Sequence, residues 1–320
     1  MKKILSFFLM SLALTAGFGL HATDLSGTAV TEPEDAQQSS SVLTKEFDFN
    51  GFHGLAVGSL YQVELVRDDH YSVTVKYSDY LEKYVKVYVS GNVLHIELDN
   101  LPASIQRARR YQESGVLRAT VHMPDLATLS LSGAAKVQVE GSFMAPEGVF
   151  RMELSGATVV KGLTVEGRRA RLSMSGAAKC NDFKGTFSQA DLEGSGAVKA
   201  DMEIDAEEWD IDVSGAAGMK LSGKRCRTMT LDASGAAKTE LGISSGRLSY
   251  EGSGASVLQA LDAPAANATV ELSGTAKCRI AIQESLEVEA SGISECSYKA
   301  AKDASVRTVS VSKMAKVQAL

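Results

Sequence analysis

Acidic side chains recur at a regular spacing in the second half of the chain, and carboxylates are groups that bind cations. Each stands two residues before the Ser of a repeated Ser-Gly phrase. The six consecutive acidic positions are Glu193, Asp212, Asp232, Glu251, Glu271 and Glu289. If the repeats stack at the ~4.8 Å spacing of neighbouring strands, these carboxylates could share Ca²⁺. The simpler interpretation is an acidic stripe in water that keeps the protein soluble. We therefore predict no cofactor, with Ca²⁺ as the alternative.

Lysines form a second series, four residues after the same Ser. Its members are Lys136, Lys179, Lys199, Lys238, Lys277 and Lys316. Because the acidic positions precede the Ser and the lysines follow it, we expect stripes of opposite charge on different faces. Such stripes suit contact with a glycan or lateral association of the protein, and they also prevent edge-to-edge aggregation.

Two of the four cysteines could form a disulfide. Cys278 and Cys296 occupy the same position in neighbouring repeats, and stacked Cα atoms ~4.8 Å apart lie within the range that a disulfide spans. Parallel stacking, however, points both side chains the same way, and Cys180 occupies that position alone, as a small apolar filler would. We predict free, buried thiols, with a bridge between Cys278 and Cys296 as the alternative.

Motifs that mark enzymes are sparse in the sequence. Residues 242–246 have the G-x-S-x-G spelling of a nucleophile elbow, which needs a strand-to-helix turn and a later His. The last His of the chain is His122. The histidines of the N-terminal part could converge in space, but we interpret them as scattered surface residues: His53, His70, His95 and His122. The sequence therefore predicts a protein that is not an enzyme.

The competing function is that of a β-helical lyase or hydrolase that acts on an acidic polysaccharide. Its Ca²⁺ would lie on the acidic positions, and Arg107, Arg109 and Arg110 could supply cations. An active cleft needs long insertions in some repeats, whereas the spacing of the repeated Ser varies only from 18 to 23 residues. This uniformity favours a function without catalysis.

The composition limits the fold class and the partners. The chain has 320 residues, and 44% of them are hydrophobic, which is enough to bury a core. Lys and Arg number 33 against 39 Asp and Glu, for a net charge of −6, so no overall basic field favours nucleic acid. The balance of 28 Gly against 5 Pro suits short stacked strands joined by tight turns.

The first residues have the order of a secretory signal peptide. Lys2 and Lys3 precede an apolar run over residues 4–20, and the small residue Ala22 follows. We predict a signal peptide over residues 1–22 and a disordered linker over residues 23–41, which is rich in polar residues. The mature chain would then have no transmembrane segment and would be exported to the periplasm, the outer cell surface or the medium.

A repeat with a period near twenty residues fills the rest of the chain. Its Ser residues are Ser132, Ser155, Ser175, Ser195, Ser214, Ser234, Ser253, Ser273, Ser291 and Ser312. The residue three before each Ser is apolar, from Leu129 to Val309, whereas the residue two before it is polar. Alternation with period two predicts strands, and the same phase in every copy predicts that they stack in parallel. We therefore predict an all-β fold in which residues 131–320 form a parallel β-helix, a solenoid with about 20 residues per coil.

Residues 42–130 differ from the repeats. Alternating runs predict several strands and a hairpin whose turn is Gly91-Asn92. A solenoid needs its open ends covered. We predict that this β-rich N-terminal region caps the β-helix.

Several segments together resemble the head GIN domain family of putative auto-transporter adhesins. The segments are Phe47-Asp48-Phe49 with Gly51-Phe52, Tyr61-Gln62-Val63-Glu64-Leu65, Tyr84-Val85-Lys86-Val87 with Leu94-His95-Ile96, and Met123-Pro124-Asp125-Leu126 leading into Leu129-Ser130-Leu131-Ser132-Gly133-Ala134. The resemblance extends from about residue 46 onward, although the nearest match to a Gly-Ile-Asn tripeptide is Gly292-Ile293-Ser294. It implies a right-handed β-helix and an exported surface or periplasmic protein, and it supplies no catalytic residues.

The leading hypothesis is an exported, non-catalytic binding or structural module, similar to an adhesin head, that uses a long rigid surface. Its expected partner is a surface glycan or an extracellular protein, and not nucleic acid.

Overall fold

The computed structural model describes residues 41–108 and 115–320. The predicted signal peptide, and all of the predicted linker except Ser41, lie outside the described residues. Of these residues, 64% lie in strands and 5% in helices, and they form a β-solenoid of about 10 turns with about 20 residues per coil. The predicted all-β solenoid is therefore confirmed.

The described part of the N-terminal region contains seven strands. They are β1 (Val42–Phe47), β2 (Gly54–Val57), β3 (Gln62–Arg67), β4 (Ser72–Ser78), β5 (Val85–Ser90), β6 (Val93–Leu98) and β7 (Leu117–Met123). A 3-10 helix spans Asp79–Tyr84, and the short helix α1 spans Ala103–Arg107. Strands β5 and β6 form the predicted hairpin, since Ser90 pairs with Val93 across Gly91 and Asn92. Both turn residues have positive φ, 55° and 65°, as the type I′ turn requires.

The solenoid continues through eighteen further strands. They are β8 (Thr128–Leu131), β9 (Lys136–Glu140), β10 (Phe143–Met144), β11 (Val149–Leu154), β12 (Val159–Lys161), β13 (Thr164–Glu166), β14 (Arg169–Met174), β15 (Lys179–Gly194), β16 (Lys199–Val213), β17 (Gly218–Ser222), β18 (Cys226–Ala233), β19 (Lys238–Gly242), β20 (Ser245–Gly252), β21 (Val257–Leu272), β22 (Lys277–Ala290), β23 (Glu295–Ala300), β24 (Ser305–Val311) and β25 (Lys316–Ala319). A single 3-10 turn, Pro146–Gly148, precedes β11.

Each coil contributes one strand segment before its Ser-Gly corner and one after it. The segments before the corner stack in parallel as a front sheet, in which Met152 lies opposite Leu129 and Leu172. The segments after the corner stack as a back sheet, in which Val160 lies opposite Val137 and Cys180. Because every coil repeats the same alternation, apolar residues of both sheets point inward and form one continuous core.

The inward column of the front sheet is buried in nine of its ten predicted members. Its interior is a stack in which Leu192 lies between Leu172 and Ile211. The tenth member, Val309, was predicted to point inward and is instead 42% exposed. Thr308 pairs with Val288 and Ser310 pairs with Glu289, so Val309 is the extra residue of a β-bulge. The prediction for Val309 is therefore wrong.

The glycines of the corners adopt a conformation that other residues rarely adopt. In all nine corners with the Ser-Gly phrase the Gly has a φ between 65° and 88°. A Cβ on Gly156 would lie 2.4 Å from the carbonyl oxygen of Gly133 in the preceding coil. Positive φ and close backbone stacking together require Gly at this position.

An earlier, degenerate copy of the corner lies at Ser59. This residue has a φ of 61°, and its carbonyl oxygen accepts a hydrogen bond of 2.8 Å from the N–H of Ala134, as the carbonyl oxygen of Gly133 does from Ala157. Strands β2 and β3 flank Ser59 and extend the front and back sheets in parallel with β8 and β9. The repeat therefore begins before Ser132, with residues 68–127 inserted between its first two coils.

The two ends of the solenoid differ. At the N-terminal end, β5 lies antiparallel beside β6, and β4 lies antiparallel between β7 and β1. Phe52 and Leu81 are fully buried beneath this region. At the C-terminal end, β24 and β25 are the outermost described strands, and Val311 and Met314 are 42% and 63% exposed. The N-terminal end thus carries additional antiparallel strands, whereas the last coil exposes apolar side chains.

Candidate functional site

The six acidic positions form one row on the front sheet, which we call the acidic ladder: Glu193, Asp212, Asp232, Glu251, Glu271 and Glu289. Each member lies directly opposite the next in the neighbouring coil. All six side chains are exposed. The alternation of the strands thus brings these residues together over five consecutive coil steps, at ~4.8 Å per step.

A shallow groove of about 390 Å³ follows the ladder from Asp212 to Glu289. One wall is formed by the carboxylates and the other by the serines of the corners, among them Ser253 and Ser273. Buried residues of the front sheet, among them Ala233 and Leu272, also line it. Carboxylates and corner serines therefore line the groove in two neighbouring rows.

Crowding of like charges changes the chemistry of the ladder at its middle. The pKa of Asp232 is raised above its usual value, because partial burial disfavours the charged form and because Glu251, Asp212 and Asp210 lie nearby. In the part of the chain that the structure describes, no ladder carboxylate lies within ion-pair distance of a basic side chain. The ladder is thus a row of negative charge that its own chain leaves unneutralised.

The geometry of the ladder bears on the predicted alternative of a Ca²⁺ site. Within residues 41–108 and 115–320, no three His, Cys, Asp or Glu side chains are arranged to hold a metal ion. In a straight ladder each carboxylate has only the two neighbours above and below it, whereas Ca²⁺ takes six to eight oxygen ligands. Binding of Ca²⁺ stays a prediction that a melting experiment can test.

The predicted lysines lie on the back sheet and are all exposed; we call them the lysine column: Lys136, Lys179, Lys199, Lys238, Lys277 and Lys316. Only Lys179 and Lys199 lie directly opposite each other. The register places other residues between the remaining lysines, namely Val159, Gly218, Val257 and Glu295. The lysine column is therefore an interrupted row of positive charge on the other side of the corner from the acidic ladder.

Two of the histidines that we interpreted as scattered lie at one carboxylate. His122 and His70 both contact Asp68, with N–O distances of 3.2 and 3.5 Å. The pKa of Asp68 is lowered, first by the backbone N–H of His70 and then by the side chain of His122. His95 instead stacks on Tyr88 at a centroid distance of 4.8 Å. The pairing joins residues 54 positions apart, so neither spacing nor alternation in the sequence indicates it.

All four cysteines are free and buried: Cys180, Cys226, Cys278 and Cys296. Cys278 lies directly opposite Cys296 in the back sheet, and its pKa is raised by a hydrogen bond with the Cys296 thiol and by burial. Burial also raises the pKa of Cys180 to about 12 and that of Cys226 to about 11. Thiols with such pKa values carry almost no thiolate at neutral pH and are poor nucleophiles.

The remaining enzyme-like features of the sequence are the G-x-S-x-G spelling and the three predicted arginines. Gly242 ends β19 and Ser245 begins β20, so the G-x-S-x-G spelling lies at a strand-to-strand turn and lacks the helix that a nucleophile elbow needs. Arg107 ends helix α1, and Arg109 and Arg110 lie outside the described residues.

Among the helices that the structure describes, none is long and apolar enough to cross a membrane.

Comparison with known proteins supports the fold. A family model described as putative auto-transporter adhesin, head GIN domain, matches residues 51–220 and 186–301. A solved putative adhesin from Parabacteroides distasonis ATCC 8503 is similar with a TM-score of 0.54 and 12% identity, covering 88% of this chain and 98% of that one. At this identity the likeness shows the fold alone.

Two further solved structures align over the same share of this chain, 88%. One is a putative lipid binding protein from Parabacteroides distasonis ATCC 8503, with a TM-score of 0.48, 13% identity and 98% of its chain covered. The other is a putative adhesin from Parabacteroides merdae ATCC 43184, with a TM-score of 0.44, 11% identity and 97% of its chain covered. No curated protein matches the sequence.

Proposed function

This chain belongs to the family described as putative auto-transporter adhesin, head GIN domain, and we propose that it is an exported, non-catalytic binding module. It contacts a surface glycan or an extracellular protein through the rigid outer faces of the solenoid. Family membership supports a binding role, and the N-terminal order of basic, apolar and small residues supports export.

The observation that carries the proposal is the repetition of exposed charged side chains at the coil spacing. The front sheet presents a carboxylate in each of six coils, and the back sheet presents lysines in a parallel row. Such rows suit a partner that is itself extended and repetitive, because each added coil adds one equivalent contact. A polysaccharide chain is a partner of this kind, because its repeating groups can meet charged side chains at a regular spacing.

A binding array tests the proposal. Residues 42–320 are applied to glycans and extracellular-matrix proteins beside two variants. One neutralises part of the ladder (Asp232→Asn, Glu251→Gln, Glu271→Gln), and the other neutralises part of the column (Lys199→Gln, Lys238→Gln, Lys277→Gln). We expect the unaltered protein to bind a defined ligand class and one of the variants to lose that binding. The same loss in both variants would mean that neither face is specific.

A second assay separates binding from catalysis. The protein is incubated with a panel of acidic polysaccharides, and unsaturated products and new reducing ends are measured. The proposal predicts neither product. Turnover of any polysaccharide in the panel would instead establish the lyase or hydrolase function and would overturn a non-catalytic role.

A further inference from the structure

Several charged side chains outside the acidic ladder pair with an opposite charge in the neighbouring coil. Lys184 lies 3.3 Å from Glu203, Lys224 lies 2.6 Å from Asp205, and Arg169 lies 2.7 Å from Asp191. Arg227 contacts Glu208 in the same way. Each of these pairs bridges one coil step. The acidic ladder instead places like charges opposite each other over five successive steps.

The lysine column also has few ion pairs within the described residues. Lys179, Lys199 and Lys277 have no ion pair within the described residues, and Lys238 pairs only with Glu240, at 2.6 Å. The part of the column from Lys179 to Lys277 spans five coil steps. The acidic ladder, from Glu193 to Glu289, spans five steps as well. A stretch of the column that carries four lysines is therefore as long as the whole ladder.

The two rows also have the same repeat. Both are carried by coils of one solenoid, so both advance by the same ~4.8 Å per coil. A second copy of this chain is therefore a partner whose cations are spaced in register with the ladder. From Lys199 to Lys277 a lysine follows at every second coil, so each can lie between two carboxylates of a facing ladder.

From these observations we propose that the acidic ladder of one copy docks against the lysine column of a second copy, so that the solenoids associate side by side. The long lysine side chains enter the groove between the carboxylates and the corner serines. The interface is heterologous, since it joins two different faces of the same molecule. The docked pair keeps one free column, on the first copy, and one free ladder, on the second, so the contact generates open rows instead of closed dimers.

The inference goes beyond the proposed adhesion and does not depend on it, because it concerns how copies of the chain meet each other. A row of solenoids would present many identical ends or faces to a surface, and linked sites bind more tightly than single ones. The docking is electrostatic, so salt must weaken it by screening.

Sedimentation velocity of the purified protein is the first test. At ~20 mM salt we expect species larger than the monomer whose proportion rises with protein concentration, and at ~0.5 M salt we expect the monomer alone. A monomer at every concentration in low salt would overturn the proposal. Association that needs added divalent cations or a polyamine would overturn it as well, because the ladder would then bind small cations and not a second copy.

Mixing two variants is the decisive test. The ladder variant (Asp232→Asn, Glu251→Gln, Glu271→Gln) and the column variant (Lys199→Gln, Lys238→Gln, Lys277→Gln) each lose one face, so each alone should stay monomeric at low salt. Mixed together, they should form a complex of one copy of each and nothing larger, since the intact column of one meets the intact ladder of the other.

A control variant with three neutralised carboxylates in the N-terminal region (Glu46→Gln, Asp48→Asn, Glu82→Gln) should associate like the unaltered protein. Melting temperatures check that every variant is folded, as expected for exposed positions. If the ladder or column variant associated normally, or if the mixture stayed monomeric, the proposed interface would be wrong. Each outcome is independent of the glycan array, so failure of one proposal can be told from failure of the other.

Discussion

Asp232 lies in the middle of the acidic ladder, where partial burial and then the charge of its neighbours oppose its ionisation. Its folded-state pKa is raised, so the contribution of this group to stability is present below its unfolded pKa and is lost as the pH rises through its folded pKa. We predict that Asp232→Asn raises the melting temperature at neutral pH, because the amide removes a repelled charge. The difference should vanish near pH 3, where the carboxyl group is protonated in both states.

Glu153 provides a matched control for Asp232. It occupies the same place in its coil, but its vertical neighbours are Ser130 and Ser173. Glu153→Gln should therefore leave the melting temperature almost unchanged at neutral pH. An equal rise in both variants would mean that charge in general, and not stacking of carboxylates, limits stability.

The cysteines supply a second prediction at the residue scale. Denatured, unreduced protein should react with a thiol reagent at all four cysteines, whereas the native protein should react very slowly because its thiols are buried. Cys278 and Cys296 decide the result, since they lie opposite each other. Only two reactive thiols, together with a digest peptide that links these residues, would establish the disulfide instead.

The members of the candidate site could be placed from the sequence where they follow the repeat. Alternation put Glu251 outward and Tyr250 inward, and the structure has the first exposed and the second buried. The contact of Asp68 with His122 could not be found in this way, because a long-range contact outside the repeat leaves no periodic signal. The exposure of Val309 was also missed, because a one-residue bulge in the last complete coil reverses the direction of a side chain.

The corner is the element that fixes the rise of the solenoid. Gly215 has a φ of 78°, and a Cβ there would lie 2.7 Å from the carbonyl oxygen of Gly196. We predict that Gly215→Ala costs about 2 kcal/mol or more in the free energy of unfolding, because it combines left-handed strain with a backbone clash. Urea unfolding followed by circular dichroism measures the change.

Gly218, only three residues later, serves as the control for the corner. A Cβ there would meet no atom within 4 Å, and the residue begins a strand in the back sheet. Gly218→Ala should therefore be neutral or slightly stabilising. A similar loss of stability in both variants would show that the corner imposes no special requirement for Gly.

Calcium binding is a property of the ladder as an element. We predict no rise in melting temperature with millimolar Ca²⁺ beyond that seen with Mg²⁺, because a straight row provides too few oxygen ligands per ion. A rise specific to Ca²⁺ in the unaltered protein, absent from the Asp212→Asn, Asp232→Asn variant, would establish a site by mass action.

The first coil shows why some elements escape prediction. The sequence around Val57 and Leu65 alternates like that of any other coil, but Ser59 replaces the corner Gly and residues 68–127 interrupt the period. Ser59 nevertheless has the positive φ of the corner, 61°. The period was readable only where coils follow each other directly.

At the scale of the whole molecule, the solenoid depends on burial from both sides of each coil. Ile211 is buried and lies between Leu192 and Leu231, whereas Val309, at the same position of its repeat, is 42% exposed. The same substitution should therefore cost far more stability at the middle of the solenoid than at its C-terminal end. A repeat protein transmits a defect only to its nearest neighbours, so the middle of the stack is the more sensitive place.

Ile211→Asp and Val309→Asp test this difference directly. The first buries a carboxylate with no partner and should cost several kcal/mol, about enough to unfold a protein of ordinary stability. The second places its carboxylate in water and should change the melting temperature little. Circular dichroism and thermal melting of both variants, with Ile211→Val as a mild control, measure the outcome.

If Ile211→Asp melted like the unaltered protein, the inward column would be wrongly placed. If Val309→Asp unfolded the chain, the last coil would be covered in solution, and its exposed apolar side chains would mark a contact.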